Sequence, residues 1–248
     1  MKRGIAFEDV SFGYARDTWA LQHVSLAVRP GSFVGIAGVN GSGKSTITYL
    51  LNGLIPHAIP GVFTGNVTVD GVSTRIKSVA YFARSIGMVF QNPDFSLFNL
   101  TVGEEIAFGL HNIRQSVDQK RINEILMRVG LGGFAHRDPQ SLSFGEKQKV
   151  CLASVLALDV SYIVLDEPTA MLDYKSSIGL YKLLQELNEE AKTIITVEHD
   201  TDLLWDYTDE TIILDSGRIK AGGATRDVLS KGKLLTSLGI KRPHGGRK

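Results

Sequence analysis

The sequence predicts an α/β protein with a mostly parallel sheet built around a phosphate-binding loop, and three features carry that expectation. The first is Gly38-Val39-Asn40-Gly41-Ser42-Gly43-Lys44-Ser45-Thr46, set between the apolar run Phe33 to Ala37 and a helical pattern at Ile47, Leu50, Leu51 and Leu54. The second is the apolar run at Tyr162 to Leu165, which ends on the acids Asp166 and Glu167. The third is a regular alternation of strand-like and helix-like segments from Tyr162 onward. Such alternation implies parallel strands joined by crossover helices.

Taken in order, the first thirty residues read as strands. Ile5, Phe7 and later Leu26 and Val28 alternate with polar neighbours, and Pro30-Gly31 marks a turn. This predicts an N-terminal antiparallel β subdomain. Asn66 to Val69 ends at Asp70-Gly71 and reads as a further strand with a tight turn. Ser85 to Phe90 reads as a buried strand. Thr101 and Glu104 have capping-box spacing before a helix at Glu105 to Leu110. Gln119 to Val129 places Ile122, Ile125, Leu126 and Val129 on one helical face. Residues from about 92 to 158 therefore read as a helical subdomain inserted in the core. After it come strand Tyr162–Asp166, helix Ser176–Glu189, strand Thr193–Glu198, helix Asp202–Tyr207 and strand Thr211–Leu214. Residues 1–240 are expected to form one domain, and the basic segment 241–248 a flexible tail. No internal repeat is present.

Composition narrows the partners. The 248 residues carry a net charge of +1, which gives no electrostatic argument for nucleic-acid binding. Cys151 is the single cysteine, so no intramolecular disulfide can form and a reducing compartment suits the chain. It lies in an apolar helical run with Val150, Leu152, Val155 and Leu156, as buried filler would. Met1-Lys2-Arg3 followed by Glu8 and Asp9 does not resemble a signal peptide, and no apolar stretch approaches the roughly 20 residues of a membrane span. Any membrane role must come through a partner.

The loop at 38–46 fits the G-x-x-x-x-G-K-[ST] pattern in the strand–loop–helix context that the pattern needs. Its glycines turn backbone N–H groups toward a polyphosphate, and the following helix N-terminus adds positive potential. Lys44 is the candidate to bridge the terminal phosphates, and the Ser45 hydroxyl to ligate Mg²⁺. At 166–167 the acids emerge from the C-terminal end of a buried strand, where open parallel sheets bind ligands. Asp166 suits Mg²⁺ held through its water shell, and Glu167 suits a water poised to attack the γ-phosphate.

With these pieces in place, the chain resembles the nucleotide-binding domain of ATP-binding-cassette (ABC) proteins over nearly its whole length, which implies a P-loop NTPase core. Tyr14, in Ser11-Phe12-Gly13-Tyr14, is similar to the aromatic that stacks on adenine, and Gln91 to the glutamine that senses Mg²⁺ and couples to a transmembrane partner. Leu142-Ser143-Phe144-Gly145-Glu146 resembles the family signature, which acts on nucleotide held by a second subunit. Leu172-Asp173 fits the loop after the acidic motif, and His199 the switch histidine. The resemblance thus implies an ATP-binding set of Tyr14, Gly38, Asn40, Gly41, Ser42, Gly43, Lys44, Ser45 and Thr46. It implies catalytic roles for Gln91, Glu167 and His199, and metal ligation by Ser45, Gln91 and Asp166.

Within the family, the chain resembles energy-coupling-factor transporter ATPases. Asn52 to His57, the Gly65–Gly71 hairpin, Phe90-Gln91-Asn92-Pro93-Asp94, Leu97-Phe98 and the run Thr101 to Gly109 carry that resemblance. It implies a peripheral subunit on the cytoplasmic membrane face that powers uptake of a vitamin or a transition-metal ion. Its partners would be a second ABC ATPase subunit, identical or not, and a transmembrane coupling protein docked near Gln91, Phe95 and Phe98. A substrate-binding membrane subunit would be an indirect partner. Phe95, Leu97 and Phe98 are candidates for an exposed apolar groove that takes a partner helix. Two departures stand out. Ser96 replaces a glutamine common in that subgroup, and Phe144 and Glu146 replace the signature's first glycine and its glutamine. Ser143-x-x-Glu146 is also a capping box, so the segment can serve as a plain helix start. A soluble, non-transport ABC ATPase is the alternative. A kinase with the same loop would leave Ser143 and His199 unexplained.

Overall fold

Two sheets organise the chain in the computed structural model, which describes residues 4–113 and 115–246. In chain order, the strands among the described residues are β1 (Ile5–Ala15), β2 (Thr18–Val28), β3 (Phe33–Ala37), β4 (Val62–Val69), β5 (Val72–Ser73), β6 (Ile86–Val89), β7 (Tyr162–Asp166), β8 (Thr193–Glu198), β9 (Glu210–Asp215) and β10 (Arg218–Ala224). The helices are α1 (Lys44–Leu51), α2 (Leu54–His57), α3 (Val79–Phe82), α4 (Val102–Asn112), α5 (Gln119–Arg128), α6 (Phe144–Ala157), α7 (Tyr174–Glu189), α8 (Thr201–Tyr207), α9 (Thr225–Leu229) and α10 (Gly232–Ser237). The smaller sheet runs β2-β1-β4-β5 and the larger one β10-β9-β3-β8-β7-β6. Pairing in the small sheet is antiparallel throughout, whereas β9, β3, β8, β7 and β6 pair in parallel and only β10 runs against its neighbour.

Alternation along the parallel strands divides two cores. Phe33, Ile163, Leu165 and Ile194 face a core shared with α4, α5, α6 and α7. Val34, Ile36, Val164, Ile195 and Val197 face the other, shared with α1 and the small sheet. β3, β7 and β8 are buried on both faces, which is why apolar residues fill β3, run through β7 as far as Leu165 and make up Ile194, Ile195 and Val197 of β8, where Thr193, Thr196 and Glu198 are buried polar exceptions. A third, smaller cluster joins Leu204, Ile213, Val228, Leu229 and Leu235 near the C-terminus.

The helices between β6 and β7 start where their caps dictate. Thr101 Oγ1 accepts from the Glu104 N–H at 3.2 Å while Glu104 Oε2 accepts from the Thr101 N–H at 3.0 Å, which launches α4. Asp118 caps α5 by accepting from the Lys120 N–H, and Ser143 with Glu146 caps α6.

The segment expected as a flexible tail is bound over its described part. Lys241 Nζ lies 2.7 Å from Asp202 Oδ2, His244 Nδ1 lies 2.6 Å from the same oxygen, and Thr201 Oγ1 donates to the Lys241 carbonyl. Partial burial opposes ionisation of Asp202, but hydrogen bonds from Lys241 and His244 outweigh it and hold that carboxyl at about 2. Asp200 and Asp202 at the start of α8 thus hold Lys241 and His244, while Arg242 Nε donates to the Gly232 carbonyl and to Thr236 Oγ1. Residues 247 and 248 lie outside the described residues.

Candidate active site

Four adjacent strands deliver the chemistry to one edge. In the order β3-β8-β7-β6, their C-terminal ends release the 38–46 loop, His199, Asp166-Glu167 and Gln91, and the parallel register sets Ala37 against Glu198 and Asp166 against Val197. Ligand sites of open parallel sheets lie along this edge.

The loop is held open by its own backbone. A Cβ on Gly38 would stand 2.3 Å from the Leu214 carbonyl oxygen and 2.5 Å from Ser42 Oγ, so only glycine fits there. Gly43 has φ 105 and precedes α1 without any side-chain cap, which leaves the first N–H groups of the helix free of side-chain partners. Lys44 is 4% exposed and donates to the carbonyls of Gly38 at 3.0 Å and Val39 at 3.1 Å. Burial lowers its ammonium pKa, and Glu167, 3.5 Å away, opposes that shift. Asn40, Gly41, Gly43, Lys44, Ser45 and Thr46 line a cavity of about 420 Å³ together with Tyr14, Gln91 and Glu167. Gly38 and Ser42 are buried within the loop and do not line it.

The acidic wall faces this loop. Asp166 is 4% exposed, and its Oδ1 has no hydrogen-bond partner. Burial raises its pKa against the pull of a hydrogen bond with Ser45. Ser45, Gln91 and Asp166 border a second cavity of about 310 Å³. Hydroxyl, amide and carboxylate oxygens around a buried acid with one unpartnered oxygen fit Mg²⁺, which keeps several waters and takes phosphate oxygens as further ligands. Among the described residues, no cluster of three or more His, Cys, Asp or Glu side chains is arranged to hold a metal alone. Glu167 follows in the left-handed region at φ 47, pinned by its N–H to the Val197 carbonyl at 3.0 Å. Gln91 Nε2 donates to Glu167 Oε2 at 2.9 Å, and His199 Nε2 lies 2.7 Å from Glu167 Oε1.

Tyr14 stands at the cavity mouth, half exposed, with its hydroxyl 3.0 Å from Thr46 Oγ1. Phe12 packs edge-on against it at 4.9 Å, so the ring is braced by a neighbour as well as by the bond. The signature segment lies elsewhere. Among the described residues, the Ser143 hydroxyl donates to Glu146 Oε2 at 2.7 Å and the Ser143 N–H to the same oxygen at 2.8 Å. The hydroxyl and N–H of Ser143 hold the Glu146 carboxyl below its usual range. Phe144 opens α6 in ordinary helical conformation, and a Cβ on Gly145 would meet Leu172 at 3.2 Å.

The expected apolar groove exists with one correction. Phe95 and Phe98 are 88% and 63% exposed, but Leu97 is buried at 4% and packs into the helical core. In the short turn after Pro93, these side chains cannot all face outward. Phe95, Phe98, Met88, Phe90 and Phe108 line a groove of about 430 Å³. Glu105 fixes its rim by accepting from the N–H groups of Phe98 and Asn99, at 3.0 and 2.9 Å. Lys147 on α6 reaches Asp94 at 2.6 Å.

Two residues at the site, Glu198 and Thr169, belong to none of the motifs above. Glu198 is 3% exposed at the end of β8 and accepts from Thr169 Oγ1 at 2.7 Å. An acid at the end of a strand buried at every position is the signal the sequence offers.

Fold and site together define an ATPase of the P-loop type with an inserted helical segment. The family model for ABC transporters matches residues 21–170, and the chain belongs to that family as an ATP-binding subunit that hydrolyses ATP. It is 46% identical over 245 residues to a Pyrococcus horikoshii protein provisionally named an ABC transporter ATP-binding protein, covering 96% of this chain and 86% of that one. It is 37% identical to the energy-coupling factor transporter ATP-binding protein EcfA2 of Methanospirillum hungatei, covering 96% of this chain and 60% of that protein. Among solved structures, cbiO1 from Clostridium perfringens, part of the ABC transporter complex cbiONQ, superposes with a TM-score of 0.80 at 29% identity, covering 98% of this chain and 96% of that one. A dimeric post-hydrolysis state of the ATP-binding cassette MJ0796 bound to ADP and Pi gives 0.79 at 29% identity, covering 89% of this chain and 98% of that one.

Proposed function

We propose that this chain is the ATP-hydrolysing subunit of an energy-coupling-factor importer for a vitamin or a transition-metal ion, working on the cytoplasmic face of the membrane. Residues 1–240 act as one nucleotide-binding domain with the helical subdomain at about 92–158 set into it. Lys44, the loop N–H groups and the α1 N-terminus bind the phosphates, while Tyr14 stacks on the base. When bound, Mg²⁺ held by Ser45, Gln91 and Asp166 neutralises charge on the transferred phosphoryl group. Glu167 orients a water on the γ-phosphorus. A bond from that water oxygen to phosphorus forms, the bond to the ADP oxygen breaks, and a water proton passes to the carboxylate or to solvent. His199 and Gln91 hold the carboxylate in place from either side. A second ATPase subunit, packed head to tail, presents its signature to this nucleotide as Ser143, Phe144, Gly145 and Glu146 present theirs to the partner's.

The observation that carries the transport reading is the exposed Phe95–Phe98 pair beside Gln91. Two large aromatics rimming an apolar groove suit a helix from a membrane protein. Among the described residues no helix is long and apolar enough to cross a membrane, so such a partner supplies the span. Asp94 and Lys147 would transmit its movement to α6. The similarity to EcfA2 and cbiO1 supports the importer class.

The experiment is affinity capture of the tagged chain from membranes of its source organism, wild type against Phe98→Glu. The reading predicts a membrane coupling protein and an ATPase partner with wild type, and loss of the former with the variant. A variant that keeps the same membrane protein would remove the docking assignment.

A further inference from the structure

The carboxyl of Glu198 sits behind the hydrolytic residues and touches both chain segments that carry them. Its Oε1 accepts from the Thr169 hydroxyl at 2.7 Å, and its Oε2 from the His199 backbone N–H at 3.2 Å. Thr169 lies in the turn that begins at Glu167, where the Ala170 N–H bonds the Glu167 carbonyl at 3.2 Å and the Leu172 N–H bonds the Thr169 carbonyl at 3.0 Å. One buried side chain therefore ties the turn after Glu167 to the start of the loop bearing His199. Those two residues meet at 2.7 Å on the other side.

We propose that Glu198 is a positioning residue for ATP hydrolysis, which holds Glu167 and His199 in contact by clamping the Thr169 turn to the end of β8. The inference rests on the reading of Glu167 and His199 given above. Glu198 does not line the cavity of the phosphate loop, so it acts through its neighbours and not on nucleotide. Core packing alone would be better served by an apolar residue, because an ionisable group this buried disfavours its own charged form. Burial does push the Glu198 carboxyl up to about 7. Tyr181, itself fully buried, hydrogen-bonds the same carboxyl and stands 3.2 Å from Thr196, which braces the clamp from α7. A misplacement of a hydrolytic carboxylate by a fraction of an ångström is enough to slow chemistry markedly.

The test separates kcat from KM in steady-state ATPase assays of Thr169→Val, Thr169→Ser and Glu198→Gln, with Glu167→Gln as reference. Thr169→Val preserves shape and removes only the donor, so kcat should fall about tenfold while KM for ATP stays within about twofold. Thr169→Ser restores the hydroxyl and should recover most of the rate. Glu198→Gln should also lower kcat without raising KM. Wild-type kcat in Thr169→Val and Glu198→Gln, with Glu167→Gln inactive, would overturn the inference and leave the catalytic reading intact. Wild-type kcat in Glu167→Gln would remove the reading beneath it, and the inference with it.

Discussion

His199 Nε2 lies 2.7 Å from Glu167 Oε1, a contact made across neighbouring strands by residues 32 positions apart in the chain. Parallel pairing of β7 with β8 brings them together. The same carboxylate accepts from Gln91 and faces Lys44, so a change at any of these four positions disturbs a shared arrangement.

Lys44→Ala should abolish most ATP binding. On the proposed reading the lysine would supply a charge to the terminal phosphates, and it ties the loop through the Gly38 and Val39 carbonyls. Calorimetric titration with ATP checks this, and an unchanged affinity would reject the loop assignment.

Glu198 sets a pH dependence of stability. Burial raises its folded value from 4.5 to about 7, so the folded state binds the extra proton between those limits. Stability is fully present below 4.5 and declines as pH rises through 7, by on the order of 3 kcal/mol. Glu198→Gln cannot titrate. The stability of that variant relative to wild type should therefore increase between about pH 4.5 and 7 and level off above. Denaturant unfolding at several pH values measures it, and a flat difference would mean the carboxyl is not suppressed by burial.

Much of this arrangement was legible in the sequence. β7 and β8 read correctly to the residue because short β-branched and apolar runs, Tyr162 to Leu165 and Ile194 to Val197 with only Thr196 between, mark strands buried on both faces. The edge strand β10 gives little strand signal, since Arg218 to Ala224 offers only Ile219 and Ala221 as half-buried apolar residues among Lys220, Gly222 and Gly223. Short helices α9 and α10 contribute only Val228, Leu229 and Leu235 to a side cluster, too few for a periodic signal. The phosphate loop and the acids were readable as local patterns. The Glu198–Thr169 bond was not, because its partners are 29 residues apart and meet only through strand register. Nor does a short loop announce that Leu97 turns inward while Phe95 and Phe98 turn out.

Tyr14 should bind base through its ring. Tyr14→Ala is expected to weaken ATP affinity by about 1–2 kcal/mol, whereas Tyr14→Phe loses only the bond to Thr46 and should cost less than about 1 kcal/mol. Equal losses in titrations of both variants would assign the effect to the hydroxyl.

Phe144→Gly combined with Glu146→Gln should change ATPase rate while leaving the ATP affinity of the isolated chain untouched. The Ser143 hydroxyl is engaged by Glu146, and if the segment meets a partner's nucleotide as proposed, a charge there would oppose the γ-phosphate by on the order of 1 kcal/mol. Removing it is expected to raise turnover of the assembled dimer. Steady-state assays with and without the co-purified ATPase partner check this. Identical rates in both settings would reduce the segment to a helix cap.

The most direct test of the hydrolytic site is Glu167→Gln, followed by ATP titration and phosphate release on the same preparation. The substitution keeps size and the Gln91 contact's geometry but removes the carboxylate. ATP should bind with wild-type affinity, release of phosphate should fall by about 10²-fold or more, and an ATP-bound dimer should accumulate. Wild-type phosphate release from Glu167→Gln would contradict the account.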